Sequence, residues 1–236
     1  MTKSLQEIID NSNAIVFFTG AGVSCASGIP DFRSANGLYY QNKSAEQMLS
    51  HSFFMEYPKE FYNFYRSHMI YPNATPNNAH TFMAECEAKG KSLGVITQNI
   101  DGLHQMAGSK TVVELHGTIH SNHCMQCHHP YQLETILNNT DIPRCPLCNG
   151  IIKPDVTLYE ESLDEKAINK CIYLIDKADT LIVTGTSLSV YPAASFIRYF
   201  HGNNLVLINK AATNADNFAD LVIHQDLNSV FNSIHI

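Results

Sequence analysis

Four cysteines stand in two pairs, Cys124-x-x-Cys127 and Cys145-x-x-Cys148, with 17 residues between the pairs. Each pair is a knuckle that sets two thiolates on one side of a turn, and two knuckles close the tetrahedron that zinc takes. Four thiolates fill that sphere and leave no position for a substrate, so one structural Zn2+ is expected. His123, His128 and His129 flank the first knuckle and read as loop histidines, because four cysteines already suffice. The chain has seven cysteines, an odd number. With four of them in metal spacing, the pattern suits a reducing compartment better than a disulfide framework. Of the isolated cysteines Cys25, Cys86 and Cys171, Cys25 follows a glycine turn, where a helix N-terminus can activate a thiol. Among small neighbours its default reading is packing.

A second concentration of chemistry runs from Ala14 to Ser34, AIVFFTGAGVSCASGIPDFRS. An apolar run with no polar alternation reads as a buried parallel strand. Gly20 and Gly22 follow it at once. Paired glycines after a strand let the backbone approach a ligand and turn into a helix whose free N–H groups face a phosphate. The stretch departs from the G-x-G-x-x-G fingerprint, since Cys25 stands where the third glycine would fall. No acidic residue ends a second strand about 20 residues on. A plain tight turn is the bland alternative, and the polar tail Pro30-Asp31-Phe32-Arg33 favours a nucleotide site over it. His116, between an apolar strand and Gly117, has the type and the place for a general base near neutral pH.

The elements that must position these residues follow from periodicity. Strands are expected at 14–18, 93–97, 111–115, 180–184, 205–208 and 221–223. Helices are expected at 4–11 (Ser4 and Glu7 as a capping box), 79–89, 162–177 (Ser162 and Glu165 as a capping box), 193–200 and 227–234. Four strand ends carry small or polar clusters: TGAG, QNID, GTS and NK. Helices between the strands make the sheet parallel, and ligands of such sheets bind beyond the strands' carboxyl ends. Two stretches leave this pattern. Residues 36–76 are rich in aromatic residues, Met and His at helical spacing; His51 and His68 there read as interfacial. Residues 118–155 hold the cysteine pairs, and Ile151 to Tyr159 returns from them as an extended stretch.

At 236 residues, 44% apolar and 16% charged, the composition is that of a globular domain with an insertion. The net charge of −7 disfavours direct nucleic-acid binding. Between Thr118 and Asp155, Arg144 and Lys153 are the only basic residues besides histidine, too few to track phosphates. No run is long enough to span a membrane, and MTKSLQEIID lacks a signal-peptide core. A cytoplasmic monomer is the expectation.

GAGVSCASGIPDFRSANGLY, TQNIDGLH, ELHG, the double C-x-x-C and GTSLSVYPA, in this order, resemble the sirtuin family of NAD-dependent protein deacylases. The motifs cover Ala14 to Lys210. The resemblance implies an α/β fold: a Rossmann-like parallel sheet with helices on both faces, formed by 1–35, 77–117 and 156–236. A small domain joins the helical insertion 36–76 to the zinc module 118–155. It implies NAD as co-substrate, with Gly20, Ala21 and Gly22 at the pyrophosphate and Gly185, Thr186, Ser187 and Asn209 completing the nucleotide pocket. Phe32 and Arg33 lie on a loop over the nicotinamide ribose. Gln98, Asn99, Ile100 and Asp101 form the ribose and nicotinamide pocket, with Asn99 and Asp101 catalytic beside His116, the base. Cys25, Asp31, Lys210 and Leu227 join the cofactor set. Phe32, Ile100, Val156, Thr157, Leu158 and Tyr159 hold the acyl-lysine peptide; for Ile100 and Val156 a plain core role is the alternative.

In family chemistry the acyl oxygen attacks C1′ of the nicotinamide ribose, nicotinamide leaves, and the acyl group passes to ADP-ribose. Two departures stand out. The peptide strand, V-V-x-F-G-E in the family, is Val156-Thr157-Leu158-Tyr159-Glu160-Glu161 here. Its backbone can still pair with a peptide, and Glu160 hints at basic flanks. Desuccinylating members carry Tyr-x-x-Arg. Here Tyr62 is followed by Tyr65, and Arg66 comes one residue late, about 100° round a helix. Neutral acyl groups and weak desuccinylation are therefore expected. The alternatives are a mono-ADP-ribosyltransferase on the same NAD site, a nicotinamide-dependent dehydrogenase, and a zinc-ribbon adaptor that binds no NAD.

Overall fold

The computed structural model describes residues 3–34, 37–42 and 44–236. The expected boundary at 35–36 lies outside the described residues. Strands β1 (Ile15–Thr19), β2 (Ser92–Thr97) and β3 (Val112–Glu114) run outward one way from the middle of a parallel sheet. The chain then makes β4 (Gly117–Cys124), β5 (Pro130–Gln132) and β6 (Ile152–Val156), a separate antiparallel sheet in the order β5-β4-β6. Strands β7 (Thr180–Thr184), β8 (Asn204–Ile208) and β9 (Leu221–Ile223) return to the first sheet and extend it the other way, giving β3-β2-β1-β7-β8-β9. The direction of winding reverses between β1 and β7, and a crevice opens at such a reversal.

Ten α-helices accompany the strands among the described residues. They are α1 (Leu5–Asn11), α2 (Leu38–Gln41), α3 (Ala45–Met48), α4 (His51–Glu56), α5 (Pro58–His68), α6 (Asn78–Ala88), α7 (Leu103–Met106), α8 (Leu133–Leu137), α9 (Glu165–Lys177) and α10 (Leu227–Asn232). Strand β1 shows why the apolar run carries no alternation. Ile15 and Phe17 face one core with α1, α6 and α10, while Val16 and Phe18 face another with α9. Both faces are covered, so each residue is apolar.

A third core lies outside the sheet. Phe54, Phe61, Tyr62 and Tyr65 of α4 and α5 pack with Ile119, Ile136, Ile152 and Val156 of the antiparallel sheet and α8. Pro58 opens α5 at its first turn, where its missing N–H costs no bond. Phe54 meets Phe61 edge-on at 4.9 Å.

Four local expectations give way. The glycine stretch continues as a 3₁₀ helix, Ala21–Ser27, and residues 193–199 are 3₁₀ as well. Helix α9 starts at Glu165, not Ser162, because the Asp164 carboxylate accepts from the Ala167 amide at 2.8 Å. A carboxylate at the N-cap outcompetes a hydroxyl two residues earlier. The extended stretch 151–159 ends its strand at Val156.

Candidate active site

The ends of β1, β2, β7 and β8 and the two excursions enclose one cleft of about 990 Å3. Every residue expected to touch cofactor or substrate lines it: Gly20, Ala21, Gly22, Cys25, Asp31, Phe32 and Arg33; Gln98, Asn99, Ile100, Asp101 and His116; Val156, Thr157, Leu158 and Tyr159; Gly185, Thr186, Ser187, Asn209, Lys210 and Leu227. The floor is two backbones in contact. Gly22 donates its amide to the Gly185 carbonyl at 2.8 Å, and a Cβ on Gly22 would stand 2.8 Å from Gly185 Cα. Only glycines allow that approach. Beside them the Asn209 Oδ1 accepts from the Thr186 amide at 3.0 Å, while the buried Asn209 Nδ2 and Thr184 Oγ1 have no partner among the described residues. Buried polar atoms are normally paired, so unpaired ones beside a glycine-floored cleft suit a polar ligand such as a dinucleotide.

His116 stands at the exit of β3. Its Nδ1 lies 2.9 Å from the Gln98 carbonyl, which only accepts, so Nδ1 carries the proton and Nε2 is left as the acceptor. Burial pushes the His116 pKa below the ordinary imidazole value, and the bond to Gln98 opposes this only in part. The ring is therefore a neutral base at neutral pH.

Ser24, which no sequence signal singled out, knits the polar floor together. Its hydroxyl donates to Asp101 Oδ2 at 2.6 Å and accepts from Asn99 Nδ2 at 3.0 Å. Asn99 Nδ2 also donates to the Gly20 carbonyl at 3.2 Å, and Asp101 Oδ1 accepts from the Leu103 amide at 3.0 Å. Asn77, the N-cap of α6, donates from Nδ2 to the Val23 carbonyl and to Ser27 Oγ, and so pins the 3₁₀ segment. Behind it lie two buried imidazoles. His80 Nδ1 accepts from the Asn77 amide at 3.2 Å, His104 Nε2 meets Thr19 Oγ1 at 3.0 Å, and the rings are 4.8 Å apart.

Cys25 is not packed away: it is exposed on the cleft. Lost hydration and the Asp31 carboxylate raise its pKa, so it is a neutral thiol, not an activated nucleophile. Lys210 meets Asp226 at 2.9 Å. Phe32 packs on Tyr39 with centroids 5.4 Å apart, and the Arg33 guanidinium lies over the same ring. The Tyr39 hydroxyl bonds the Tyr159 hydroxyl.

The segment after β6 differs from expectation. The Thr157 amide donates to the His116 carbonyl, the Tyr159 amide to the Leu49 carbonyl, and the Leu158 amide to Glu161 Oε2. These three amides are taken within the chain, so an added peptide strand would pair with other backbone groups of the segment. The exposed Glu160 carboxylate accepts from the Ser52 amide and hydroxyl at 2.9 Å each, which fixes its place without neutralising its charge. Glu161 is a hub. Burial works against its charge, but His51, the Leu158 amide and Lys153 outweigh that and hold the carboxyl below the usual range. His51 is thus an interfacial residue, 2.8 Å from Glu161. Tyr62 and Arg66 stay out of the cleft. The Tyr62 hydroxyl donates to the Ile152 carbonyl, and Arg66 donates to the carbonyls of Ile136 and Asp141.

The four paired cysteines converge, all Sγ atoms within 4.8 Å of one another. Cys124 and Cys148 sulfurs are 3.4 Å apart, Cys127 and Cys145 sulfurs 3.6 Å. A disulfide would need about 2.05 Å. Thiolates about 2.3 Å from one ion stand about 3.8 Å apart in a tetrahedron, so this donor set fits zinc. The residue after each knuckle, His128 and Asn149, is left-handed with φ 58° and 63°. Each turns its amide back onto the first cysteine's carbonyl, at 2.9 and 2.8 Å. No histidine joins the cluster among the described residues. His123 pairs with Asp155, and His129 packs on Tyr131.

The Sir2 family model matches residues 20–192. An NAD-dependent protein deacetylase of Clostridium perfringens is 57% identical over 98% of this chain and 97% of its own length. One of Clostridium acetobutylicum is 54% identical with the same coverage. A solved Sir2 with a p53 peptide and NAD+ superposes with a TM-score of 0.86 at 38% identity, covering 99% of this chain and 96% of that one. Another, with deacetylated p53 peptide and 3′-O-acetyl ADP-ribose, gives a TM-score of 0.89 at 39% identity over 96% and 94%.

Proposed function

This chain belongs to the Sir2 family, and from that premise we propose how its cleft carries out NAD-dependent protein-lysine deacetylation. NAD is a substrate here. Its pyrophosphate lies on Gly20, Ala21 and Gly22, where the backbone is bare, and its adenosine half meets Gly185, Thr186, Ser187, Asn209, Lys210 and Leu227. Gln98, Asn99, Ile100 and Asp101 receive the nicotinamide ribose, with Asp31, Phe32 and Arg33 over it and Cys25 beside it. Asn99 and Asp101, braced by Ser24, offer their remaining lone pairs to the ribose and carboxamide. The acyl-lysine enters between Phe32, Ile100, Val156 and Leu158, with Thr157 and Tyr159 at its mouth. The neutral side chain tolerates these apolar walls; a charged lysine does not.

The acyl carbonyl oxygen attacks C1′ as nicotinamide departs. His116 Nε2 then takes a proton from a ribose hydroxyl, so that the hydroxyl oxygen can take the acyl carbon. The lysine amine then leaves with the proton that His116 took, water adds to the acyl-bridged ribose left behind, and the products are nicotinamide, O-acetyl-ADP-ribose and free lysine. The observation that carries this reading is the His116 tautomer, with Nδ1 held by the Gln98 carbonyl and Nε2 left to accept.

We assign Cys124, Cys127, Cys145 and Cys148 one Zn2+ with a structural role. Residues 36–76 and 118–155 form a small domain on the sheet domain of 1–35, 77–117 and 156–236; their shared core supports this. The reading is completed by a monomer in a reducing cytoplasm acting on acylated proteins. With Tyr62 and Arg66 bonded elsewhere, nothing at those positions neutralises an acyl carboxylate. Succinyl-lysine should be cleaved at least tenfold more slowly than acetyl-lysine in a peptide panel; equal rates would contradict it.

The test of the whole is mass spectrometry of products from an acetyl-lysine peptide, with and without NAD, for the unsubstituted protein and His116→Ala. NAD-dependent deacetylation yielding nicotinamide and O-acetyl-ADP-ribose, lost in the variant, is the expected result. An ADP-ribosylated peptide without deacetylation would instead indicate a transferase.

A further inference from the structure

The loop that leaves β8 lines the cleft from Asn209 to Thr213. Contacts from behind the cleft hold it. Asp216 Oδ1 accepts from the Thr213 amide and hydroxyl at 3.0 and 2.7 Å. His224 follows β9 at once. Its Nδ1 lies 3.3 Å from the Asn209 carbonyl, and its Nε2 lies 3.0 Å from Asp216 Oδ2. The contacts thus run from Asn209 through His224 and Asp216 to Thr213 and tie the two ends of the loop together. Neither His224 nor Asp216 belongs to the cleft lining.

Both partners of this imidazole, a carbonyl and a carboxylate, only accept. A neutral ring has one N–H and satisfies one of them; the imidazolium has two and satisfies both. Of the other charged groups on the segments around it, Asp226 pairs with Lys210 at 2.9 Å, and Asp220 accepts from the Leu205 amide at the far end of β9. Asp216 is therefore the carboxylate that His224 meets. The Thr213 hydroxyl, more than His224 itself, holds the Asp216 carboxyl below the usual carboxylate range, so it stays charged while the imidazole titrates.

We propose that His224 is a proton-sensing positioning residue for the adenosine half of NAD. As the imidazolium it ties the Asn209 carbonyl to Asp216 and fixes the backbone that carries Asn209, whose Oδ1 holds the Thr186 amide. As the neutral ring it keeps one of its two bonds, and the loop gains freedom that binding must then remove. Protonation and nucleotide binding therefore assist each other, and a ligand that fills this pocket takes up protons. Affinity falls as pH rises through the titration of His224. The proposal rests on the nucleotide site placed above.

Its test is titration calorimetry with ADP-ribose, which has no nicotinamide to lose and no phosphate that titrates near neutrality. The unsubstituted protein and His224→Ala are compared at pH 6 and pH 8, on either side of the ordinary imidazole range. The ratio of dissociation constants, pH 8 over pH 6, should be about threefold larger in the unsubstituted protein than in the variant, the scale of a partly exposed charged pair. His116 is common to both proteins and cancels from that comparison. Equal ratios overturn the proposal. No binding at either pH sinks the nucleotide site along with it. Should the variant fail to fold, the unsubstituted protein decides alone. Its binding heats at pH 7, taken in buffers of different ionisation enthalpy, should show proton uptake; none, or release, overturns the proposal.

Discussion

The role proposed for His116 rests on the nitrogen that would do no chemistry. A carbonyl on Nδ1 fixes the tautomer, and burial lowers the pKa. The base must be neutral to accept a proton. The acid limb of kcat/KM should therefore lie below the ordinary histidine value of about 6.5, with activity retained as pH falls through it. A pH–rate profile with its acid limb above that value would contradict the assignment. His80 and His104 give a second pH effect, on stability. Burial lowers their pKa values to about 4 and about 3. The unfolded chain binds protons near pH 6.5 and the folded chain does not, so stability is full above 6.5 and declines as pH falls toward 4. Urea titrations at pH 7.5 and 5 should differ by at least about 2 kcal/mol, with pH 5 the weaker.

At the scale of elements, α9 offers a direct comparison of two caps. Asp164→Ala should lower stability by about 1 kcal/mol in denaturant titration, and Ser162→Ala should leave it within experimental scatter. The sequence reading put the cap at Ser162, and the fold puts it at Asp164. Strand β7 was legible to the residue, because its apolar Leu181, Ile182 and Val183, covered on both faces, are bounded by Thr180 and Thr184. The nucleotide loops were legible because each is a break in such a run. What escaped were residues whose roles arise only when distant segments meet. Ser24 is one small residue among several until Asn99 and Asp101 arrive beside it. The same limit produced the error at Cys25, which is exposed on the cleft. Exposure and the fate of individual amides are tertiary facts.

At the scale of the molecule, the thiolate cluster and the cleft are mechanically joined. Strand β4 runs from Gly117, the residue after His116, to Cys124, and β6 runs from Ile152 to Val156, the residue before Thr157. Gly117 has φ 74°, and the Asp155 carbonyl sits where a Cβ would be, so the two strands close on each other at the cleft end. Chelating the metal should therefore unfold this unit, seen as lost β-structure in circular dichroism and faster proteolysis within 118–155, and deacetylation should vanish with it. Full activity in metal-free protein would refute the structural role.

The bond from the Thr157 amide to the His116 carbonyl also bears on how the chain folds. It joins backbones on either side of the whole stretch 117–156. Closing a loop of that length from an open chain costs entropy that grows with the logarithm of its length. A metal clamp between residues 124 and 148 removes the middle of the loop beforehand and lowers that cost by roughly 1 kcal/mol. Capture of the proposed ion early in folding would thus hasten the meeting of His116 and Thr157, a part in the order of assembly beyond its proposed structural role.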